Sequence, residues 1–120
     1  MVYVGTLSTL GPLVAAIEGG GTRSFVAALD IKRGTNAVVP ASYSAAATRV
    51  PELWLIPPDG KPRPVGLLRA DQPVTLTLSH ELAGFATSNA VLAVSLEPPG
   101  GSPTGLPTGP VIGSGKLTNL

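Results

Sequence analysis

The apolar positions of this 120-residue chain recur mainly with the two-residue period of β-strands. Val2-Tyr3-Val4-Gly5-Thr6-Leu7 is a β-prone opening. Pro12 to Ile17 is a second apolar run, stopped by Glu18 and by Gly19-Gly20-Gly21. Glycine takes positive φ without strain, so the stop predicts a turn. Ser24 to Asp30 then reads as the returning strand of a hairpin over 12–30. Lys32-Arg33-Gly34-Thr35-Asn36 reads as the next turn, and Ala37-Val38-Val39 as a short strand. Residues 41–48 are small and fit a loop or a single helical turn.

The middle of the chain is patterned more sharply. Glu52-Leu53-Trp54-Leu55-Ile56, bounded by Pro51 and Pro57, predicts a strand with bulky residues on both faces. Leu53 and Leu55 point away from Trp54. Pro57-Pro58-Asp59-Gly60-Lys61-Pro62 predicts a turn, because proline presets φ and Asp-Gly supplies the left-handed position. Pro64 to Leu68 is the returning strand. Val74-Thr75-Leu76-Thr77-Leu78 alternates apolar with hydroxyl, as a half-buried antiparallel strand does. Ser79 is a cap-like start and Gly84 a stop, which predicts one short helical turn between them. Val91 to Leu96 reads as a long central strand. Residues 98–110 hold five prolines and four glycines and predict an irregular loop. Val111-Ile112 and Lys116-Leu117 close the chain, with a turn over Gly113-Ser114-Gly115 leading into the last strand. The pattern as a whole predicts one all-β domain over residues 1–120. It would be an antiparallel β-sandwich (or barrel) of seven or eight short strands with at most one short helix.

Composition supports the turns and narrows the chemistry. Gly (15) and Pro (13) are about twice as frequent as usual, yet 43% of residues are hydrophobic, enough for a core. Eight basic residues against seven acidic leave a net charge of +1, which is no footprint for nucleic acid. With no cysteine, disulfides, thiolate metal sites and thiol catalysis are excluded, although the compartment is not fixed. Residues 1–17 lack the charged start of a signal peptide, and no run approaches the ~20 apolar residues of a membrane span. The chain as given therefore reads as soluble, and any export signal would lie outside it.

Candidate chemistry is sparse. His80 is the only histidine, and no G-x-S-x-G nucleophile motif accompanies it. Gly113-Ser114-Gly115-Lys116-Leu117 fails the phosphate-loop test at Pro110 and at Leu117. Most of the carboxylates, Glu18, Asp30, Glu52, Asp59, Asp71 and Glu81 among them, sit beside turn residues, where solvated or capping roles are expected. Glu97 differs. It ends a long apolar strand and precedes Pro98, so it can accept backbone N–H bonds from the Gly-rich loop and fix it. Trp54 is the sole tryptophan and is expected to anchor a core. No cofactor or metal is implied.

Three segments in combination resemble a known family. They are Glu52-Leu53-Trp54-Leu55-Ile56, then Leu92 to Gly105 with its Glu97-Pro98-Pro99-Gly100-Gly101-Ser102 block, then Pro107-Thr108-Gly109-Pro110-Val111 with Gly115-Lys116-Leu117. Together they resemble the C-terminal domain of the anti-sigma-K factor family over roughly residues 3–117. Phe25 to Asp30 resembles that domain's early hairpin. The residues carrying the resemblance (Leu53, Trp54, Leu55, Ile56, Glu97, Pro98, Gly100, Gly101, Ser102, Pro107, Thr108 and Gly109) read as structural. The prolines and glycines fix a loop, and Trp54 fills a core.

The resemblance implies a single-pass membrane protein whose cytoplasmic segment restrains an extracytoplasmic-function sigma factor. This domain would lie outside the membrane, on the periplasmic side, and the sigma factor would be released by a membrane protease acting on the anchor. The sigma-binding segment and the span would lie outside these residues, and Met1 would not be the natural start. On this reading the domain is a non-enzymatic sensor or gate. A cell-surface β-sandwich that binds a partner is the alternative, and an exposed apolar patch at Leu106 or Val111-Ile112 would favour it. A hydrolase using His80 comes third and requires a carboxylate and a serine within hydrogen-bond reach.

Overall fold

A computed structural model of the chain describes residues 12–41 and 48–120. The β-prone opening at 2–7 and most of the ambiguous stretch at 41–48 lie outside the described residues. The alternating runs form nine strands and one short helix among those described. They are β1 (Leu13–Gly19), β2 (Thr22–Asp30), β3 (Thr35–Pro40), β4 (Val50–Ile56), β5 (Arg63–Leu67) and β6 (Val74–Thr77). Then follow α1 (His80–Phe85), β7 (Val91–Glu97), β8 (Val111–Lys116) and β9 (Thr118–Asn119). The strands pair antiparallel in the order β5-β4-β7-β8-β1-β2-β3-β6, with β9 beside β1.

The first hairpin forms where the glycines predict it. Gly20 (φ 61°) and Gly21 (φ 80°) carry the left-handed turn. The register Leu13↔Leu29, Ala15↔Ala27 and Ile17↔Phe25 then stacks six apolar side chains on one face. All six are buried. The β4–β5 turn is likewise made by Gly60 (φ 76°), with the Asp59 carboxylate accepting from Lys61 N at 2.9 Å.

The sheet curls so that its two halves face each other. Leu53 and Leu55 of β4 and Leu92 and Val94 of β7 meet Ile17, Phe25, Leu29 and Val38 in one core. The halves join where β8 meets β1, with Glu18 opposite Ser114. A Cβ at Gly115 would fall on the Ala16 carbonyl, and one at Gly113 would lie 3.1 Å from the Glu18 carbonyl carbon. Only glycine backbone comes this close. On the far side β5 and β6 are the two ends of the strand order, with no ladder between them, and the Leu76 side chain packs against Gly66. The expected two-layer sandwich is therefore one nearly closed, barrel-like sheet.

Three local expectations are corrected. The turn expected over Gly113-Ser114-Gly115 is the middle of β8, because extended glycines allow the approach to β1. The turn expected over 32–36 closes earlier: Gly34 N bonds to Asp30 O at 2.8 Å, which frees Thr35 and Asn36 for β3. The helix does not stop at Gly84. Its N-cap Ser79 accepts from Leu82 N at 3.1 Å, and it ends where Ala86 N bonds back to Ala83 O at 3.2 Å. Phe85 in its last turn lies under the Arg63 guanidinium, 3.9 Å from the ring centre.

Two glycines separate these ideas experimentally. Gly115→Ala drives a methyl into backbone at the β1–β8 seam and is expected to cost about 2 kcal/mol or more. Gly84→Ala, where a Cβ meets nothing within 4 Å, is expected to raise stability by up to about 1 kcal/mol. Urea unfolding of both variants checks the pair. A Gly115→Ala protein as stable as the parent contradicts the close approach of β8 to β1.

Candidate functional site

β4 is buried on both faces, which a half-solvated strand is not. Its inner residues Leu53 and Leu55 belong to the core. Its outer residues are aligned by the pairing with β7, which places Glu52 opposite Ser95, Trp54 opposite Ala93 and Val50 opposite Glu97. Strand pleating therefore gathers Glu52, Trp54, Ser95 and Glu97 on one outward face. All four are buried, and Trp54, Ser95 and Glu97 have no exposed surface. The lobe formed by residues 98–110 bonds to two of them, Glu52 and Glu97.

The lobe is held by two carboxylates. Glu97 Oε2 accepts from Ser95 Oγ (2.6 Å), Thr108 N (3.0 Å) and Gly109 N (3.1 Å), and its Oε1 accepts from the Thr108 hydroxyl. Ser95 Oγ in turn accepts from the Trp54 indole N–H at 2.8 Å. This makes a relay from Trp54 through Ser95 and Glu97 to Thr108. Glu52 Oε1 accepts from Ser102 N at 2.8 Å and pins the other half of the lobe. Within the lobe, Gly101 N bonds to Pro98 O (2.9 Å), and Gly100 and Gly101 take φ of 93° and 98°. Only glycine takes this conformation freely, and a Cβ at Gly101 would also press on the Glu52 carboxylate at 3.2 Å. Gly109 is similarly constrained, because a Cβ there would fall on the Leu96 carbonyl. Pro110 O accepts from Leu96 N at 3.0 Å and returns the chain to the sheet.

The electrostatics follow from this donor set. Burial disfavours the Glu97 carboxylate. Hydrogen bonds from the Ser95 and Thr108 hydroxyls and from the Gly109 and Thr108 amides outweigh it, and the pKa falls from 4.5 to about 2. The exposed carboxylates behave differently. Asp59 is lowered by its hydrogen bond with Arg63 and Asp71 by its bond with Arg69. Asp30 accepts from Arg33 N at 3.0 Å, a turn-capping role.

The sequence residues divide clearly. The structure brings Trp54, Glu97, Pro98, Gly100, Gly101, Ser102, Pro107, Thr108 and Gly109 to the lobe side of the sheet. Leu53 and Leu55 face the opposite way, and Ile56 ends β4. The expected contact of Glu97 with the loop's backbone N–H groups is present. Two residues escape the sequence reading. Glu52 is buried rather than solvated, and the available signal was its place two residues from Trp54 on the same strand face. Asn36 is fully buried in β3 between Leu29 and Leu76, and its side-chain amide has no hydrogen-bond partner among the described residues.

The arrangement fastens a lobe. Every oxygen of Glu97 is occupied by a donor. His80 is exposed at the start of α1, with no hydrogen bond to a carboxylate or serine among the described residues. Two surface depressions among the described residues are the most developed candidates for a cleft. One, of about 390 Å³, lies beside Ser88 and Asn119, and the other, of about 440 Å³, lies between Arg49 and Arg69. Neither gathers a nucleophile with a base. The described residues hold no group of three or more His, Cys, Asp or Glu suited to a metal.

The family model described as "Anti-sigma-K factor rskA, C-terminal" matches residues 4–111. The chain belongs to this family. The matched span carries the β4 strand, the Glu97 clamp and the whole lobe. It stops at Val111, so Gly115-Lys116-Leu117 falls outside it. No curated protein and no solved structure matches the chain significantly. The anti-sigma-K factor family is regulatory, and its partner is a sigma factor. Among the described residues no helix of this anti-sigma factor domain is long and apolar enough to cross a membrane.

The clamp has a pH signature. Because the folded pKa of Glu97 lies below its ordinary value, its stabilisation is fully present above pH 4.5 and is lost as pH falls towards about 2. At 1.36 kcal/mol per pH unit between the two values, this amounts to about 3 kcal/mol. Glu97→Gln keeps the shape and removes the charge. It is expected to be less stable by about that amount at pH 7 and nearly equal to the parent at pH 2. Urea unfolding followed by Trp54 fluorescence across this range is the check. Parallel curves for the two proteins would show that the carboxylate does not hold the lobe.

Proposed function

We propose that this chain is the extracytoplasmic regulatory domain of a membrane-anchored anti-sigma factor. It controls an extracytoplasmic-function sigma factor through regulated proteolysis of the anchor, and it does so without catalysis of its own. The observation that carries the reading is the family match over residues 4–111. The partner sigma factor binds a segment of the full-length protein outside this chain, and a membrane protease cuts the anchor. In this mechanism the folded domain shields the stalk beside the membrane. Unfolding of the domain, or docking of a partner on it, uncovers the stalk.

The fold suits a gate of this kind. Its lobe is fastened by discrete hydrogen bonds to Glu97 and Glu52, so a local change can loosen it while the sheet remains intact. One observation favours the second reading, a cell-surface module that binds a partner. Leu106 on the lobe and Val111 at the start of β8 are 53% and 59% exposed.

Deletion of residues 12–120 from the natural full-length protein tests the first reading. Sigma-dependent transcription and the anchor fragments are measured with and without the inducing condition. The expected result is altered release, either constitutive or abolished. Release indistinguishable from that of the intact protein would remove the gate from the mechanism and leave the binding module.

A further inference from the structure

Every carboxylate side chain of the molecule has a place, and one arginine is left over. The sequence holds seven Asp and Glu, and all of them are among the described residues. Glu18 pairs with Arg23 (3.5 Å), Asp30 with Arg33 (3.6 Å), Asp59 with Arg63 (3.0 Å) and Asp71 with Arg69 (3.1 Å). Glu52 and Glu97 are bonded to the lobe, and Glu81 acts on Arg63. Of the five arginines, Arg49 alone has no carboxylate partner among the described residues. Its guanidinium donates to a neutral group, Leu96 O, at 3.4 Å.

A break in the β4–β5 ladder builds the surroundings of Arg49. Leu68 N bonds to Pro51 O at 2.8 Å, but proline has no N–H with which to return the bond. Beyond this point residues 69–71 leave β4, and a cleft of about 440 Å³ opens between the two segments. Its volume lies within the ~300–1,000 Å³ of small-ligand sites. Val50, Pro51, Leu68 and Ala70 give it apolar walls, and the exposed Arg49, Arg69 and Asp71 form its rim.

The charges of the rim select the ligand. Both oxygens of Asp71 accept from Arg69, at 3.1 and 3.3 Å, so these two groups neutralise each other. Arg69 keeps further N–H donors, but the uncompensated charge is that of Arg49. One positive charge beside apolar walls matches a monoanion with a compact apolar body. The planar fork of a guanidinium suits a carboxylate. A phosphate dianion suits it less, because the Asp71 carboxylate repels the second charge.

We propose that this cleft binds a small organic carboxylate. Its apolar part, of the size of a branched aliphatic side chain, lies on Pro51 and Leu68 while Arg49 holds the anionic end. Asp71 sets the selectivity by turning dianions away. The inference stands on the charge accounting and is independent of the proteolysis reading above.

The test titrates the 120-residue chain with 4-methylpentanoate, with its neutral amide and with inorganic phosphate, each to about 50 mM at constant ionic strength, following amide chemical shifts. The expected result is saturable shifts at 49–51 and 68–71 for the carboxylate, with a Kd of about 1–5 mM, and no saturation for the amide or for phosphate. Arg49→Gln is expected to weaken the carboxylate about tenfold. Asp71→Asn releases Arg69 and is expected to tighten the carboxylate severalfold and to admit phosphate. Both positions are exposed, and unchanged Trp54 fluorescence reports that each variant is folded. A carboxylate without saturable shifts overturns the proposal, and so do shifts that map to Ser88 and Asn119. Binding unaltered in Arg49→Gln, or an amide that binds as well as the acid, overturns it too. An Asp71→Asn protein that still refuses phosphate rejects the selectivity role of Asp71.

Discussion

The structure turns on the cost of burying one carboxylate and the donors that offset it. Glu97 is fully buried with no cation bonded to it among the described residues, a position that would ordinarily keep it neutral. It stays ionised because two hydroxyls and two backbone amides converge on it. Those amides belong to Thr108 and Gly109, in a lobe with hardly any apolar side chain of its own. The dependence is mutual. Without the carboxylate the Thr108–Gly109 half of the lobe loses its side-chain fastening to the sheet. Without the lobe, Glu97 would lose the Thr108 and Gly109 donors that keep it ionised.

Much of this was legible in the residues, and the unread parts share a cause. Alternation located the strands because each side chain votes locally for a face. Three glycines announced the first hairpin, and a carboxylate ending an apolar strand ahead of a proline–glycine loop announced the clamp. Closure of the barrel was harder to read. It depends in part on Gly113 and Gly115, which in sequence look like a turn and in space are places where β8 comes close to β1. Glycine's permissiveness covers both outcomes, and only the distant partner strand decides between them. Glu52 was misplaced for a related reason, since its burial comes from Ser102, fifty positions away. Asn36 contradicts the local pattern outright: a polar side chain faces the core between two leucines, and no flanking residue signals it.

Membership of the anti-sigma-K factor family fits a molecule whose polar investment is structural. Its strongest electrostatic feature fastens one part of the chain to another. The exposed ion pairs, Asp59 with Arg63 and Asp71 with Arg69, are short-range contacts within turns. Exposed pairs of this kind contribute little to stability.

The seam has a temporal meaning as well as a spatial one. β1 pairs with β8 and β9, so that Leu13 lies beside Asn119 and Val14 beside Thr118. Almost the whole described chain separates these partners. Closing so long a loop costs entropy that local contacts cannot repay in advance. The hairpins on either side can form as soon as their own residues are available, whereas the barrel waits for both ends. Whichever end emerges first, during synthesis or passage across a barrier, the intermediate is an open, curled sheet with its interior accessible. Joining β8 to β1 is the commitment step, and a chain interrupted just before it displays the surface that chaperones and proteases recognise.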